Sequence, residues 1–97
     1  MRILKQLLSA LLTLSLSFSA LANFTKLENF GANPGSLDAS YFTSKKQSSA
    51  LVVLLHGCAQ HGEELAQQSG LLGLAKKNGF SLLLPQQSLS NNIKRCF

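Results

Sequence analysis

An unbroken apolar run that stops abruptly at a His-Gly pair constrains the fold of this chain more than any other feature. The aliphatic run extends from Leu51 to Leu55, and the chain continues as His56, Gly57 and Cys58. Such a run is typical of a strand buried on both faces, as in a parallel sheet. Because glycine has no Cβ, the backbone at Gly57 can approach a ligand closely, and the Cys58 N–H can point into a site. The sequence predicts a binding loop at the carboxyl end of a central strand.

The first 22 residues have the parts of a secretory signal peptide. Arg2 and Lys5 form a basic start, residues 7–21 are apolar apart from serine and threonine, and Ala20-Leu-Ala22 is a cleavage site. A transmembrane anchor is the alternative, but a span needs about 20 strongly apolar residues, and this stretch is shorter and serine-rich. We predict that residues 1–22 are removed and that residues 23–97 are secreted, to the periplasm or the medium, without membrane attachment.

The composition of residues 23–97 limits the class of protein. This part of the chain contains seven lysine and arginine residues and four acidic residues, and it has no run of basic residues interleaved with aromatic residues. This scattered charge argues against nucleic-acid binding. A chain this short buries only about 60% of its unfolded surface and is marginally stable without a covalent support. The two cysteines, Cys58 and Cys96, provide one, because an even number of cysteines in an oxidising compartment favours a disulfide.

The remaining patterns predict an α/β domain. We expect an early antiparallel strand at 39–43, joined by a polar hairpin-like connection at 44–49 to the buried strand at 50–55. A helix should span 67–78, with Ser69 as a possible start signal or an earlier start near Glu63, and Gly79 should end it in the left-handed conformation. A second short strand should cover 80–84 and end at Pro85. Strand, helix and strand make a βαβ unit with parallel strands and a right-handed crossover.

The predicted βαβ unit places both cysteines at one edge of the sheet. Cys58 falls three residues after the first parallel strand, and Cys96 falls twelve residues after the second. The carboxyl ends of parallel strands lie at the same edge, which makes a Cys58–Cys96 bridge reasonable. The sequence alone does not give the Cα separation that such a bridge requires.

Taken together, four stretches resemble the polyhydroxybutyrate depolymerase family of secreted esterases, which includes feruloyl-esterase-like and acetyl-xylan-esterase-like members. They cover nearly all of residues 23–97, in the order and at the spacing of that family. They are FGANPG at 30–35, LLHGCAQ at 54–60, LAKKNGF at 74–80, and LLPQQ at 83–87 leading to NNIKRCF at 91–97.

This resemblance implies an α/β-hydrolase fold with a Ser–Asp–His triad, the serine lying in a G-x-S-x-G turn. No G-x-S-x-G motif occurs in the 97 residues. Family members continue well beyond the position of Phe97. We therefore expect residues 23–97 to form the N-terminal part of an esterase, without any residue of the triad and inactive alone.

The resemblance assigns the oxyanion hole to the His-Gly-Cys loop. The Cys58 backbone N–H would stabilise the tetrahedral intermediate, while Gly57 and His56 shape the loop. His56 could instead serve as a catalytic base, but we interpret it as structural. A nucleophilic Cys58 is disfavoured because a disulfide would consume the thiol. The set His56, Cys58, His61 and Cys96 has zinc-binding residue types without the usual ligand spacing, so we predict no metal and no cofactor.

Two further residues are candidates for substrate contact at the carboxyl edge of the sheet. Gln60 could reach substrate there, as could the polar run 86–92, although a solvated loop is the alternative for both. Arg95 could pair with an acid or lie on the surface. His61 is expected in the loop near the mouth of the site.

The predicted function is a secreted carboxylic-ester hydrolase that acts on a polyester or on an acyl ester of a plant polysaccharide. The first alternative is a small secreted binding module, stapled by the disulfide and without catalysis. A secreted metal-binding peptide is the second. Neither alternative accounts for the four family-like stretches.

Overall fold

The computed structural model describes residues 23–46 and 50–97. The predicted signal peptide and residues 47–49 of the polar connection lie outside these ranges. The described elements are strands β1 (Thr25–Lys26), β2 (Asp38–Phe42), β3 (Leu51–Val53) and β4 (Ser81–Gln86), and helices α1 (Gly62–Gln68) and α2 (Leu71–Asn78).

The four strands form one mixed sheet in the order β1-β2-β4-β3. β3 pairs with β4 in parallel, and α1 and α2 form the connection between them. This confirms the predicted parallel strands joined by a helical crossover. β4 also pairs with β2 in antiparallel register, and β2 pairs with β1 in the same sense. The chain thus has an α/β architecture with β4 near the centre.

The predicted hairpin between β2 and β3 is wrong, because β4 lies between these two strands. β2 pairs in antiparallel register with nearly the whole of β4, from Asp38 opposite Gln86 to Phe42 opposite Leu82. Leu82 and Leu84 of β4 are 0% and 1% exposed, as expected for a strand with a neighbour on each side and helices packed on one face.

The sequence predicted that β3 would be buried on both faces, and this prediction is wrong. The side chains of Leu51, Val53 and Leu55 are 58%, 51% and 56% exposed, whereas Val52 and Leu54 pack against the core. β3 is an edge strand, and only the face towards the helices is covered. The aliphatic run therefore behaves as a half-exposed strand, and its regular structure ends at Val53.

The single predicted helix is divided into α1 and α2 at Ser69 and Gly70. Gly70 adopts a left-handed conformation (φ 82°), which turns the chain between the two helices. Gly79 ends α2 in the left-handed conformation, as predicted, and its N–H donates to the Ala75 carbonyl at 2.8 Å. The two short helices cover the sheet where one straight helix was expected.

β4 continues through Pro85 to Gln86, beyond the predicted end of the strand. On the side that faces β3, the Ser81 N–H donates to the Ala50 carbonyl and the Leu83 carbonyl accepts from the Leu54 N–H. The Pro85 nitrogen faces the same side, but β3 ends before it reaches the level of Pro85. The missing N–H of proline therefore costs no ladder hydrogen bond.

The hydrophobic core lies between the helices and one face of the sheet. Its buried members come from α1, α2 and β4, and half-buried side chains from the strands and helix ends pack around them. The buried residues are Ala66, Leu72, Ala75, Leu82 and Leu84, with Phe24, Phe42, Val52, Leu54, Leu71 and Phe80 around them.

Candidate functional site: the loop after the first parallel strand

His56 is the most buried polar residue at the carboxyl edge of the sheet, with 2% of its surface exposed. Its Nε2 lies 2.9 Å from the Gln87 backbone nitrogen, and its Nδ1 lies 2.6 Å from the Gly57 carbonyl oxygen. The ring also packs edge-on against Phe97, with ring centroids 4.8 Å apart. His56 therefore links the end of β3 to the chain that follows β4.

Residues 57–60 form a tight turn directly after His56. The Gln60 N–H donates to the Gly57 carbonyl at 3.3 Å, and the Gly57 N–H donates to the Gln60 side-chain Oε1 at 2.6 Å. Ala59 adopts a left-handed conformation (φ 58°), as the third residue of such a turn can. Its N–H donates to the Lys94 carbonyl at 2.7 Å. The turn is thus held by bonds within itself and by one bond to the C-terminal segment.

The Cys58 N–H differs from the other amides of this turn. The N–H groups of Gly57, Ala59 and Gln60 each have an acceptor. Among residues 23–46 and 50–97, no acceptor is bonded to the Cys58 N–H, and Cys58 is exposed. This loop therefore presents one unused, fixed backbone donor at the surface.

A disulfide joins Cys58 to Cys96, with their Cα atoms 4.0 Å apart. This confirms the predicted bridge across the carboxyl edge. It leaves neither sulfur as a nucleophile or a thiolate ligand. Within the described ranges, no cluster of three or more His, Cys, Asp or Glu residues is arranged to hold a metal ion.

Asn92 closes the C-terminal segment into a compact ring. Its Oδ1 accepts a hydrogen bond from the Cys96 N–H at 2.8 Å, and its Nδ2 donates to the Cys96 carbonyl at 3.1 Å. The Arg95 N–H donates to the Asn92 carbonyl at 3.0 Å, and Arg95 itself is left-handed (φ 50°). The ring presents Cys96 to Cys58 and the Lys94 carbonyl to the turn.

The polar run that follows β4 holds loops together through its side-chain amides. The Gln86 Oε1 accepts from the first N–H of α1, on Gly62, at 2.9 Å, and its Nε2 donates to the Gln60 carbonyl at 3.1 Å. The Gln87 Nε2 donates to the Cys96 carbonyl at 3.3 Å. Asn91 donates to both the Gln87 Oε1 and the Gly35 carbonyl at 2.6 Å. The sequence analysis did not predict this network of hydrogen bonds. The high density of asparagine and glutamine in residues 86–92 was the only feature of the sequence that could have indicated it.

The candidates for substrate contact have different environments. Gln60 uses its Oε1 inside the turn, and its side-chain NH₂ group has no acceptor among the described residues. The Arg95 guanidinium lies 3.5 Å from the Ala59 carbonyl and contacts no acid in the described ranges. His61 is exposed and precedes α1 without capping it through its side chain. An open cleft of about 640 Å³ between α1 and the β1–β2 side of the sheet does not include the Cys58 turn.

Comparison with known proteins identifies the family to which this chain belongs. Residues 41–97 match the family described as "Esterase PHB depolymerase", and this match includes the turn, the disulfide and the amide network. The chain belongs to this esterase family, as the four stretches predicted.

A curated relative gives the second comparison. Over 93 residues the chain is 37% identical to "Poly(3-hydroxyalkanoate) depolymerase C" of Paucimonas lemoignei. The match covers 94% of this chain and 22% of the relative, so the chain spans less than a quarter of that protein's length. Among the described residues, no helix has the length and apolar character needed to cross a membrane.

Proposed function

We propose that this chain supplies the oxyanion side of a secreted serine carboxylic-ester hydrolase with an α/β-hydrolase fold. The family match and the mixed sheet with its helical crossover support this proposal. The substrate that we propose is a polyester, on the basis of the depolymerase relative. The signal-like composition of residues 1–22 supports export. The comparisons give no support to a binding module without catalysis.

One observation carries the proposal: the free Cys58 N–H in a turn whose three other amides are occupied. Ester hydrolysis passes through a tetrahedral intermediate with a negative oxygen. A fixed N–H that points at this oxygen stabilises the transition state more than the ground state. Loss of one such donor typically lowers kcat by about 10²–10³. The disulfide and the bond from Ala59 to Lys94 hold the donor in place before substrate arrives.

We propose that the serine nucleophile is supplied by sequence outside these 97 residues, since no G-x-S-x-G motif occurs in them. The catalytic acid–base histidine and its aspartate would come from the same source. We propose that His56 and Gly57 shape the oxyanion loop and that Gln60, through its free NH₂ group, contacts substrate. Alone, the chain would position an intermediate's oxygen without being able to form that intermediate.

The test is a hybrid enzyme in which this chain replaces the matching segment of the Paucimonas lemoignei depolymerase. We expect it to degrade suspended poly(3-hydroxyalkanoate) and to hydrolyse a short nitrophenyl ester, with both activities abolished by a serine-directed inhibitor. The parent depolymerase is the positive control. An acetylated polysaccharide, assayed in parallel, tests the competing substrate class. A folded, exported hybrid without any esterase activity would refute the proposed role of this chain.

A further inference from the structure

The cleft beside α1 lies apart from the oxyanion turn and collects most of the acidic side chains of the chain. It has a volume of about 640 Å³ and lies between α1 and the β1–β2 side of the sheet. Three of the four acidic residues of the sequence line it, Asp38, Glu63 and Glu64, together with one lysine, Lys26. Three carboxylates and one ammonium group give this acidic cleft a formal charge of −2, in a chain whose net charge is +5.

The carboxylates of the acidic cleft are not neutralised by other groups of the described chain. The side chains of Asp38 and Glu63 have neither a hydrogen bond nor an ion pair there, and Lys26 has no acidic partner. Glu64 accepts one bond from a neutral group, the Gln68 amide, at 3.0 Å. Within residues 23–46 and 50–97 no three of these groups are arranged to hold a metal ion. The acidic cleft therefore favours a larger cation, whose charges and N–H groups are spread along its length.

A buried hydroxyl is a second, independent feature of the acidic cleft. Ser40 is 9% exposed and lies opposite Lys26 on β1 and Leu84 on β4. Its hydroxyl has no hydrogen-bond partner in the described ranges. No fully enclosed side-chain nitrogen or oxygen in those ranges lacks a partner, so the Ser40 Oγ is open to the cleft that Ser40 lines. This oxygen can accept a hydrogen bond from a ligand that carries N–H donors.

The wall of the acidic cleft changes from apolar at depth to anionic at the rim. Leu84 lines the cleft and is 1% exposed, so it belongs to the deep part of the wall. Asp38, Glu63 and Glu64 are exposed and form the rim. A ligand that fits both parts combines a methylene chain with ammonium groups at more than one position.

We propose that the acidic cleft binds a linear aliphatic polyamine. One ammonium group donates to the Ser40 hydroxyl, the others pair with the three carboxylates, and a methylene segment lies against Leu84. Each exposed ion pair is weak, so affinity depends on several being made at once. Because the acidic cleft does not include the oxyanion turn, this inference is independent of the proposed function.

Titration of the full, oxidised chain with spermidine tests both binding and location. In ¹H–¹⁵N correlation spectra we expect saturable shifts at residues 38–40 and 62–67, and none at the turn 57–60. The Kd should be on the order of 1 mM, as a few weak ion pairs to a small ligand give. Octane-1,8-diol has the length of spermidine without its charge, and calcium chloride supplies a divalent cation without the methylene chain. Comparable saturable binding of either, or no saturable shift with spermidine, would overturn the proposal.

A matched pair of variants separates this site from the general charge of the protein. Glu63→Gln removes one carboxylate from the acidic cleft and should raise the Kd for spermidine about two- to fivefold. Glu28→Gln removes the one acid that does not line the cleft and should leave the Kd unchanged. Equal effects of the two variants would refute a localised site. Equilibrium dialysis of labelled spermidine against the hybrid enzyme and the same two variants repeats the comparison in a longer chain, whether or not the hybrid is active.

Ser40→Ala tests the geometry without changing any charge. The variant loses no hydrogen bond within the described chain, so it should fold normally, and we expect its Kd to be about threefold higher. An unchanged Kd would contradict the proposed contact with the hydroxyl. A tetralysine peptide is the last probe. If it bound more tightly than spermidine and shifted the same residues, the acidic cleft would be a site for a basic peptide, and the polyamine assignment would be wrong.

Discussion

A side chain at position 57 should separate the catalytic role of the turn from its contribution to stability. A Cβ added to Gly57 would lie 2.9 Å from the Gln60 Oε1 and 3.5 Å from its Cδ. The Gln60 side chain can rotate away, but its bond with the Gly57 N–H is then lost. One such hydrogen bond contributes about 1 kcal/mol to stability. We therefore expect Gly57→Val to cost about 1–2 kcal/mol in unfolding free energy.

The effect of Gly57→Val on catalysis should be larger than its effect on stability. The β-branched side chain moves the Gly57–Cys58 peptide, and with it the Cys58 N–H, away from the oxygen that becomes negative. We expect kcat of the hybrid enzyme to fall towards the factor of about 10²–10³ seen for loss of an oxyanion donor, with KM changed much less. Steady-state kinetics on a soluble nitrophenyl ester, with urea unfolding of the same samples, provides both numbers.

Removing the contacted side chain supplies the control for this prediction. In a Gln60→Ala background the added Cβ at position 57 no longer meets the Gln60 amide. Gly57→Ala should therefore cost less there than in the native background, with a coupling energy of about 0.5–1 kcal/mol. If Gly57→Val retained full kcat in a folded hybrid, the oxyanion assignment of this turn would be wrong.

Three further predictions concern the chain itself. The full chain exported through an oxidising compartment should contain no free thiol after denaturation without reductant, and two thiols per chain would contradict the Cys58–Cys96 bridge. The 97-residue chain should hydrolyse a nitrophenyl ester no faster than a heat-treated control, since the serine turn is absent; inhibitor-sensitive turnover after repurification would refute this. Leu84→Ala, at a site 1% exposed, should lower the unfolding free energy by about 2–5 kcal/mol, against little change for Leu89→Ala at a site 65% exposed. Similar losses at both positions would contradict the described core.

Some parts of the fold were predictable from the sequence because short sequence patterns determine them. The apolar runs on either side of a helical pattern gave the parallel pair β3 and β4. Gly79 gave the end of α2 because glycine adopts a left-handed conformation at little cost. The positions of the two cysteines after these strands placed them at the same edge, where the structure joins them.

The errors arose where tertiary packing decides between local alternatives. An aliphatic run does not reveal whether both faces of its strand are covered, and β3 has one face exposed. The polar connection between β2 and β3 does not show that β4 lies between these two strands. In the helical region, Gly70 was compatible with one continuous helix but introduces a turn between two helices.

The sequence identified residues of the candidate site but did not predict most of their hydrogen-bond partners. The His-Gly-Cys motif directed attention to the loop, but the partners of His56 are separated from it by up to 41 positions in the sequence, as Phe97 is. Such long-range contacts depend on the packing of the C-terminal segment against the turn. The amide network of Gln86, Gln87 and Asn91 was missed for the same reason, since amide side chains bond equally well to solvent, substrate or backbone.

The most direct test of the oxyanion role is a crystal structure of the hybrid enzyme after reaction of its serine with a phosphonate ester. The phosphonyl oxygen stands in for the negative oxygen of the tetrahedral intermediate. We predict that this oxygen lies about 2.7–3.1 Å from the Cys58 backbone nitrogen. The turn at 57–60 should keep its bonds from Ala59 to Lys94 and from Gly57 to Gln60. A phosphonyl oxygen bound by other amides, with the Cys58 N–H directed to solvent, would contradict the account.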